Sequence, residues 1–255
     1  MRALLTKPQR DAYTDRTRVR KIESTLPPNI QSEVDSRLAE IAKLLATLAP
    51  EIQGINRHRY ARSLMCLEEL VEALTFAHYL KTQTLISDAD VSLIVEDLAR
   101  QGAAPEDAVM ADASDDAAAT TASSAEKPAP PPTPTVSLTR DDYLYGVFDL
   151  TGEMMRFATT STALTGAMAS GHAGDNDGGD VPRTIVQDMH ELGTFFEMLP
   201  VGSGSRFQWE KKLEVTRQSV QKVERLGYDR TIRGSERPKG WIPDLSAGDG
   251  PGEEE

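Results

Sequence analysis

Apolar residues recur every three or four positions along several long stretches of this chain, which is the spacing of amphipathic α-helices. The spacing predicts one helix over about 32–49, and Pro50 and Gly54 mark its end. It predicts a second helix over about 56–83 and a third that starts after Ser87, a good N-cap residue. No stretch shows the alternation of apolar and polar residues that is typical of a β-strand.

Three more helices are predicted in the second half of the chain. Thr139 is placed to cap the first of them, and Asp142 stands at the reciprocal position of a capping box. Its apolar face is expected at Tyr143, Val147, Leu150, Met154 and Phe157. Further helices are predicted over about 182–199 and 207–232. The pattern as a whole predicts an all-α fold, a single-domain bundle of about six to seven helices.

Low-complexity segments divide the chain into two halves of one bundle. Residues 101–137 are rich in Ala, Asp, Ser, Thr and Pro and offer almost nothing to bury, so they are expected to form a long disordered loop. Residues 1–31 are read as a basic, partly disordered segment, and 243–255 as an acidic disordered tail. The bundle halves are then 32–100 and 138–242.

The formal net charge of −12 is concentrated in the segments expected to be disordered. The loop 101–137 and the tail 243–255 each carry a net charge of −5, which leaves the rest of the chain close to neutral. Residues 206–240 and residues 1–21 each carry a net charge of +5. Basic faces of this kind can neutralise nucleic-acid phosphates despite an acidic total. Candidate RNA-binding residues are Arg156, Lys211, Lys212, Arg217, Lys222 and Arg225. The alternative for Arg156 is an ordinary ion pair within its helix, with Glu153 three residues before it, and the alternative for the other five is solvated helix surface.

Two pairs of acidic residues lie beside the apolar seams of two different predicted helices. Glu69 and Glu72 are three residues apart, and Asp149 and Glu153 are four apart, so each pair occupies one face of its helix. If the two faces meet, four crowded carboxylates need a counter-ion, and oxygen ligands favour Mg²⁺ or Mn²⁺ over zinc. The alternative is that these residues are ordinary solvated surface carboxylates.

Three stretches of sequence carry a recognisable order of residues. The first is Asp142-Tyr-Leu-Tyr-Gly-Val-Phe-Asp-Leu-Thr-Gly-Glu-Met-Met-Arg156. The second is Glu69-Leu-Val-Glu-Ala-Leu-Thr-Phe-Ala-His-Tyr-Leu-Lys-Thr-Gln-Thr-Leu-Ile-Ser87, and the third is Lys212-Leu-Glu-Val-Thr-Arg-Gln-Ser-Val-Gln-Lys-Val-Glu224. Together they resemble the translin family. The acidic pairs, which plain translin lacks, indicate its factor X branch.

This resemblance implies a fold, a partner and an activity. Members of the branch are all-α bundles that assemble with translin into hetero-octamers and act as Mg²⁺-dependent endoribonuclease subunits, with Mn²⁺ as an alternative ion. Position by position, the resemblance implies that Glu69, Glu72, Asp149 and Glu153 are the catalytic and metal-binding carboxylates. Asp149 and Glu153 are expected to be direct ligands, Glu72 to complete the site, and Glu69 to ligate or orient a water molecule.

The same resemblance implies short single-stranded RNA as substrate, either passenger fragments from RNA silencing or tRNA precursor fragments, with single-stranded DNA ranked second. The alternative is a non-catalytic subunit that binds translin and nucleic acid. No apolar run of about 18 residues predicts a membrane span, and a secretory signal is not recognisable, so an intracellular protein is expected. The basic cluster at 16–21 resembles a weak nuclear-import signal, with a solvated helix face as the alternative, so the expected location is cytoplasmic and nuclear. The single cysteine, Cys66, is expected to be a small buried residue.

Overall fold

Seven α-helices and one short 3₁₀ turn account for the regular structure in the part of the chain that the computed structural model describes: residues 19, 21–103, 134–171, 183–200 and 206–233. In chain order the helices are α1 Pro28–Leu48, α2 Asn56–Arg59, α3 Cys66–Thr82, α4 Asp88–Ala103, α5 Arg140–Thr165, α6 Ile185–Met198 and α7 Arg206–Arg233. The prediction of an all-α fold is confirmed. None of these helices has the length and apolar character needed to cross a lipid bilayer.

Helices α3 and α5 pack against each other at the centre of the bundle. On one side α1 packs on α4, and the apolar residues of that pair join those at the start of α3 in one buried cluster. On the other side α7 packs on both α5 and α6, and their apolar residues form a second cluster with the end of α3. Tyr143 of α5 packs against both clusters. The neighbouring helices α3, α5 and α7 enclose the site described below.

A capping box determines where α5 begins. The backbone N–H of Asp142 donates to the Thr139 hydroxyl at 3.1 Å, and the backbone N–H of Thr139 donates to the Asp142 carboxylate at 2.8 Å. The same carboxylate accepts from the guanidinium of Arg57, and both side chains of this ion pair are largely buried. The predicted cap is confirmed, and it also ties α2 to the start of α5. At its other end α5 stops at Gly166, whose φ of +74° suits glycine.

Small residues let α5 approach both of its main neighbours. A Cβ on Gly146 would stand 2.6 Å from a methyl carbon of Val71 and 2.8 Å from the backbone oxygen of Glu68, so α3 and α5 meet closely there. Toward α7, the hydroxyls of Thr151 and Thr216 are 3.2 Å apart and buried. Close approach at these points brings the polar edges of three helices together.

An aromatic cluster holds α5, α6 and α7 in register. The ring of Phe148 stacks on that of Phe196 with centroids 3.9 Å apart, and it meets Trp209 edge-on at 5.1 Å. All three residues are buried. Aromatic pairs in such geometries contribute roughly 0.5–1.5 kcal/mol beyond the burial of their area. Phe148 immediately precedes Asp149 in α5, so the cluster restricts how far the turn of helix that carries Asp149 can move.

The single helix predicted over 56–83 is wrong, because the chain breaks there into α2, a 3₁₀ turn at Ser63–Met65, and α3. The break contains neither Gly nor Pro, so spacing alone gives no sign of it. The ion pair of Arg57 with Asp142 joins α2 to the first turn of α5. Tyr60, which a continuous helix with apolar spacing would bury, is exposed.

Other boundaries shift by a few residues. Helix α1 begins at Pro28 instead of 32, because a proline at the first helical position loses no hydrogen bond. The segment before it is partly packed, since Ile22 is buried and the backbone N–H of Glu23 donates to the oxygen of Leu80. Cys66 is exposed, which contradicts the expected burial.

The expected loop 101–137 is too long at both ends. Helix α4 continues to Ala103, Val136 is fully buried, and Gln53 donates to the backbone oxygen of Thr135 at 2.9 Å. The predictions for residues 1–18, 104–133 and the tail 243–255 lie outside the described residues.

Two glycines on α5 provide a matched test of the close packing between α3 and α5. Gly146→Ala is expected to destabilise the protein by about 1–3 kcal/mol, because the new methyl group overlaps Val71 and the backbone of α3. Gly152→Ala meets nothing within 4 Å and is expected to stabilise by about 0.5–1 kcal/mol through helix propensity. The free energy of unfolding from urea titrations measures both. Equal effects of the two substitutions would contradict the close approach at Gly146.

Candidate functional site

A pocket of about 530 Å³ opens between α3, α5 and α7. Four carboxylates, three cationic side chains and a few neutral groups surround it. The lining residues are Glu69, Glu72, Phe148, Asp149, Gly152, Glu153, Arg156, Gln208, Lys211, Lys212 and Val215. The four acidic residues singled out in the sequence therefore line one cavity, and so do three of the six candidate RNA-binding residues.

Helical geometry explains why the two acidic pairs face the same space. On α3, Leu67, Leu70 and Val71 are buried in the core, which leaves Glu69 and Glu72 at the edge of the buried face. On α5 the buried positions are Phe148, Leu150, Thr151 and Met154, and these leave Asp149 and Glu153 at the corresponding edge. Because the apolar faces of α3 and α5 pack together, their polar edges lie side by side.

The electrostatics of Glu72 show how closely the two pairs approach. Partial burial and, in decreasing order, the negative charges of Asp149, Glu69 and Glu153 together raise the pKa of Glu72 to about 7. A carboxyl on α3 thus feels both acidic residues of α5 as well as its own neighbour. The carboxylates form one electrostatic cluster that stores repulsion when all of them are ionised.

Two of the carboxylates are already paired with cations from the chain itself. The ammonium of Lys212 on α7 lies 2.6 Å from the Asp149 carboxylate and 3.3 Å from that of Glu68 on α3. Arg156 pairs with Glu153 one turn away on α5. Partial burial raises the pKa of Glu68, and Lys212 opposes that shift. These contacts offset part of the negative charge of the pocket.

The chemistry of the donors fits a hard divalent cation, since every candidate ligand in the pocket is a carboxylate oxygen. As the side chains are placed, however, no group of three or more His, Cys, Asp or Glu residues within the described residues has the arrangement of a metal-binding set. Asp149 and Glu153 point their oxygens at Lys212 and Arg156 instead. A cation that binds in the pocket would therefore compete with Lys212 and Arg156 for these carboxylates.

The six candidate RNA-binding residues separate into two groups. Arg156, Lys211 and Lys212 line the pocket. Arg217 lies elsewhere on α7, where its guanidinium makes two hydrogen bonds, of 2.5 and 2.8 Å, to Glu197 of α6. Lys222 and Arg225 are on later turns of α7 and do not line this pocket. The structure therefore brings only the first group next to the carboxylates.

Sequence reasoning misses two residues of this region, Glu68 and Gln208. Glu68 lies one turn before Glu72 on α3, and a single acidic residue there resembles ordinary helix surface. Its role becomes visible only when α7 is packed in place, because its partner Lys212 is more than one hundred residues away in the chain. Gln208 lies on the first turn of α7 and carries no charge signal.

Asp188 on α6 is a buried carboxylate outside this pocket, and its contacts are with other side chains of the bundle. It accepts hydrogen bonds from the hydroxyl of Tyr79 at 2.6 Å and from the amide of Gln83 at 2.7 Å, and it pairs with Arg183. Burial and the charge of Asp188 raise the pKa of Tyr79, so the phenol remains a hydrogen-bond donor. This network ties the end of α3 to the start of α6.

Comparison with known proteins gives consistent matches along most of the chain. The family model described as Translin family matches residues 4–234. Translin-associated protein X of Rattus norvegicus is 30% identical over 221 residues, which is 85% of this chain and 66% of the relative. The protein of the same name from Pongo abelii is 28% identical over 222 residues, with the same shares covered. The Translin-associated protein X homolog of Schizosaccharomyces pombe is 24% identical over 199 residues, or 78% of this chain and 64% of the relative. The chain thus spans just under two thirds of the length of these curated relatives.

The raised pKa of Glu72 predicts how stability depends on pH in the absence of divalent ions. The folded protein keeps this proton up to about pH 7, whereas the unfolded chain loses it near the ordinary value of 4.5. Between these values the unfolded state binds fewer protons, so the contribution of Glu72 to stability falls as pH rises. Glu72→Gln mimics the protonated form and is expected to gain stability over the wild type as pH increases from 5 to 8.

Urea unfolding in EDTA at several pH values measures this difference, with Glu40→Gln on the exposed face of α1 as the control. If the two variants follow the wild type in parallel, the pKa of Glu72 is not raised in the folded protein.

Proposed function

The chain belongs to the Translin family, and from that premise we propose that it is a Mg²⁺-dependent endoribonuclease subunit that works in an assembly with translin. The observation that carries the proposal is the meeting of Glu72 with Asp149 and Glu153 across two helices, in a pocket that also holds cationic side chains. A cluster of this composition suits a divalent ion on one side and a phosphate group on the other.

In this proposal Asp149, Glu153 and Glu72 hold the ion, and Glu69 binds it or orients a water molecule. Bound Mg²⁺ supplies a Lewis acid that polarises a phosphoryl oxygen and makes water more acidic, with Mn²⁺ as a substitute. Glu72, whose pKa of about 7 lies close to neutral pH, can exchange a proton in the free protein. Release of that proton on ion binding is consistent with general metal-ligand behaviour.

The cationic side of the pocket is suited to the phosphate backbone. Lys211 is exposed on α7, and the guanidinium of Arg156 is largely exposed beside Glu153. Both could neutralise phosphate oxygens next to the carboxylates. Among the residues that the structure describes, Phe148 is the one aromatic residue that lines the pocket, and its ring is buried and so not available for stacking on a base. Recognition through the backbone favours short, flexible single-stranded RNA without strong sequence preference, with single-stranded DNA second.

The biological substrates in this proposal are passenger fragments from RNA silencing or tRNA precursor fragments, in the cytoplasm and nucleus. Assembly with translin, as a hetero-octamer, is proposed from the names of the relatives, each called translin-associated. Large apolar side chains near the junction of α6 and α7 support an interface: Phe195, Met198 and Phe207 are 52%, 79% and 75% exposed. Exposed apolar surface of this kind is typical of partner-binding regions.

A second candidate function is a non-catalytic subunit that binds translin and nucleic acid. The observation in its favour is that Asp149 and Glu153 are already neutralised by Lys212 and Arg156, as they would be in a purely structural ion-pair network. The two functions differ in what happens when a carboxylate becomes an amide. A structural role affects stability or assembly, whereas a catalytic role affects cleavage in an intact assembly.

RNA cleavage by the chain co-purified with translin distinguishes them. In Mg²⁺, Asp149→Asn and Glu153→Gln are each expected to lower the cleavage rate of a short single-stranded RNA by about 100-fold or more, because a loss of about 3 kcal/mol of transition-state stabilisation has that effect. Chelation by EDTA is expected to abolish cleavage. The chain purified without translin is expected to be inactive.

Asp97→Asn on α4 is the matched control, because this exposed residue pairs only with its helical neighbour Arg100 among the contacts described. It should cut at the wild-type rate. If the two pocket variants assemble normally and also cut at the wild-type rate, the chain is the non-catalytic subunit.

A further inference from the structure

Lys212 has more partners than a single ion pair requires. Its ammonium contacts carboxylates from two helices, Asp149 of α5 at 2.6 Å and Glu68 of α3 at 3.3 Å. It also lies 3.4 Å from the backbone oxygen of Tyr145 and 5.3 Å from the centre of that ring. The side chain of Lys212 is 23% exposed and that of Glu68 is 13% exposed, so the group is sheltered from water.

The two carboxylates around Lys212 differ in where they face. Asp149 lines the pocket, whereas Glu68 does not. A cation entering the pocket therefore competes with Lys212 for Asp149, but it does not compete for Glu68. The contacts with Glu68 and Tyr145 remain available to the ammonium after Asp149 has changed partner.

From this arrangement we propose that Lys212 is the resident counter-ion of the pocket, and that Glu68 retains Lys212 when a divalent cation takes Asp149. The inference rests on the proposed function, since it assumes that the pocket binds such a cation. Glu68 is then a positioning residue that acts through Lys212 and touches neither the ion nor the substrate.

Glu68 is needed in this proposal because a largely buried ammonium group without a charged partner is energetically costly. Opening the pair with Asp149 in the absence of Glu68 would strand a largely buried ammonium next to an incoming divalent cation, which is strongly unfavourable. With Glu68 present, one carboxylate replaces another and the ammonium keeps a charged partner. The exchange therefore lowers the cost of binding the cation without moving α7.

The charge balance favours retention of Lys212 over its expulsion. Among the described residues at this site, the five carboxylates Glu68, Glu69, Glu72, Asp149 and Glu153 face Arg156, Lys211 and Lys212, a net charge of −2 when all are ionised. One divalent cation neutralises that charge with every side chain in place. Expelling Lys212 would restore an excess of negative charge.

A double-mutant cycle on cation affinity tests the proposal directly. Binding of Mn²⁺ to the full chain is measured by calorimetry and by the electron paramagnetic resonance signal of the free ion, for wild type, Glu68→Gln, Lys212→Met and the double variant. Glu68→Gln is expected to weaken Mn²⁺ binding about tenfold, because Lys212 then has Asp149 as its one charged partner and competes more strongly with the ion for it. Lys212→Met is expected to tighten binding about tenfold. In the Lys212→Met background, Glu68→Gln is expected to change affinity by less than about twofold.

The non-additivity separates this mechanism from simple long-range attraction. If Glu68 acted on the cation only through long-range charge, Glu68→Gln would weaken Mn²⁺ binding equally in the wild type and in Lys212→Met. That result would overturn the proposed exchange of partners but not the proposed nuclease site. Absence of Mn²⁺ binding by the wild type would overturn both. Glu214→Gln on the exposed face of α7 and Lys81→Met at the end of α3 are matched controls and are expected to leave the affinity unchanged.

Each variant is checked by its thermal unfolding transition, and Lys212→Gln provides a second neutral substitution should Lys212→Met unfold. The same cycle built on Lys212→Gln must give the same non-additivity.

Discussion

Mutual repulsion among carboxylates on the facing edges of α3 and α5 is the constraint on which the pocket depends. Separation of the two helices to relieve it would break their close packing, in which a Cβ on Gly146 would stand 2.6 Å from a methyl carbon of Val71. Burial first, and then the charges of the neighbouring carboxylates, raise the pKa of Glu72. Cations from α5 and α7 offset part of the repulsion, which leaves a pocket suited to one more positive charge.

Helix α5 connects this local constraint to the rest of the bundle. Its first turn is capped by Thr139 and joined to α2 through Arg57, and its middle is fixed by the stacking of Phe148 on Phe196. Asp149 follows Phe148 directly, so the aromatic cluster positions a residue that faces the pocket. The packing that stabilises the fold therefore also orients the site, and changes in the core near Phe148 affect both.

The extent to which the sequence predicts this structure depends on the range of the interactions involved. Apolar spacing and the capping residues Thr139 and Ser87 are local signals, and they give most helices to within a few residues. The break between α2 and α3 leaves no local signal, since it contains neither Gly nor Pro, and the contact of Arg57 with Asp142 that accompanies it joins residues 85 positions apart. The same holds for Lys212, whose partners on α3 and α5 become neighbours only after the helices have packed.

The acidic pairs show the same contrast between local signals and contacts that form only in the folded bundle. Their spacing on two helices, together with the family resemblance, indicates which four carboxylates belong together. The pair of Arg156 with Glu153 is local, three residues apart on one helix, and its prediction is confirmed. The pair of Lys212 with Asp149 joins residues 63 positions apart and could not be predicted, so the sequence shows Asp149 as a free ligand where the structure shows it paired. Glu68 is a further example, because its importance comes entirely from its tertiary partner.

The most direct measurement is the position of a bound cation. In crystals of the protein soaked with Mn²⁺, an anomalous difference peak at the manganese edge is predicted between Glu72, Asp149 and Glu153, with the ammonium of Lys212 moved from Asp149 toward Glu68. Ordered Mn²⁺ elsewhere in the crystal, no peak in this pocket, and Lys212 still on Asp149 would contradict the account.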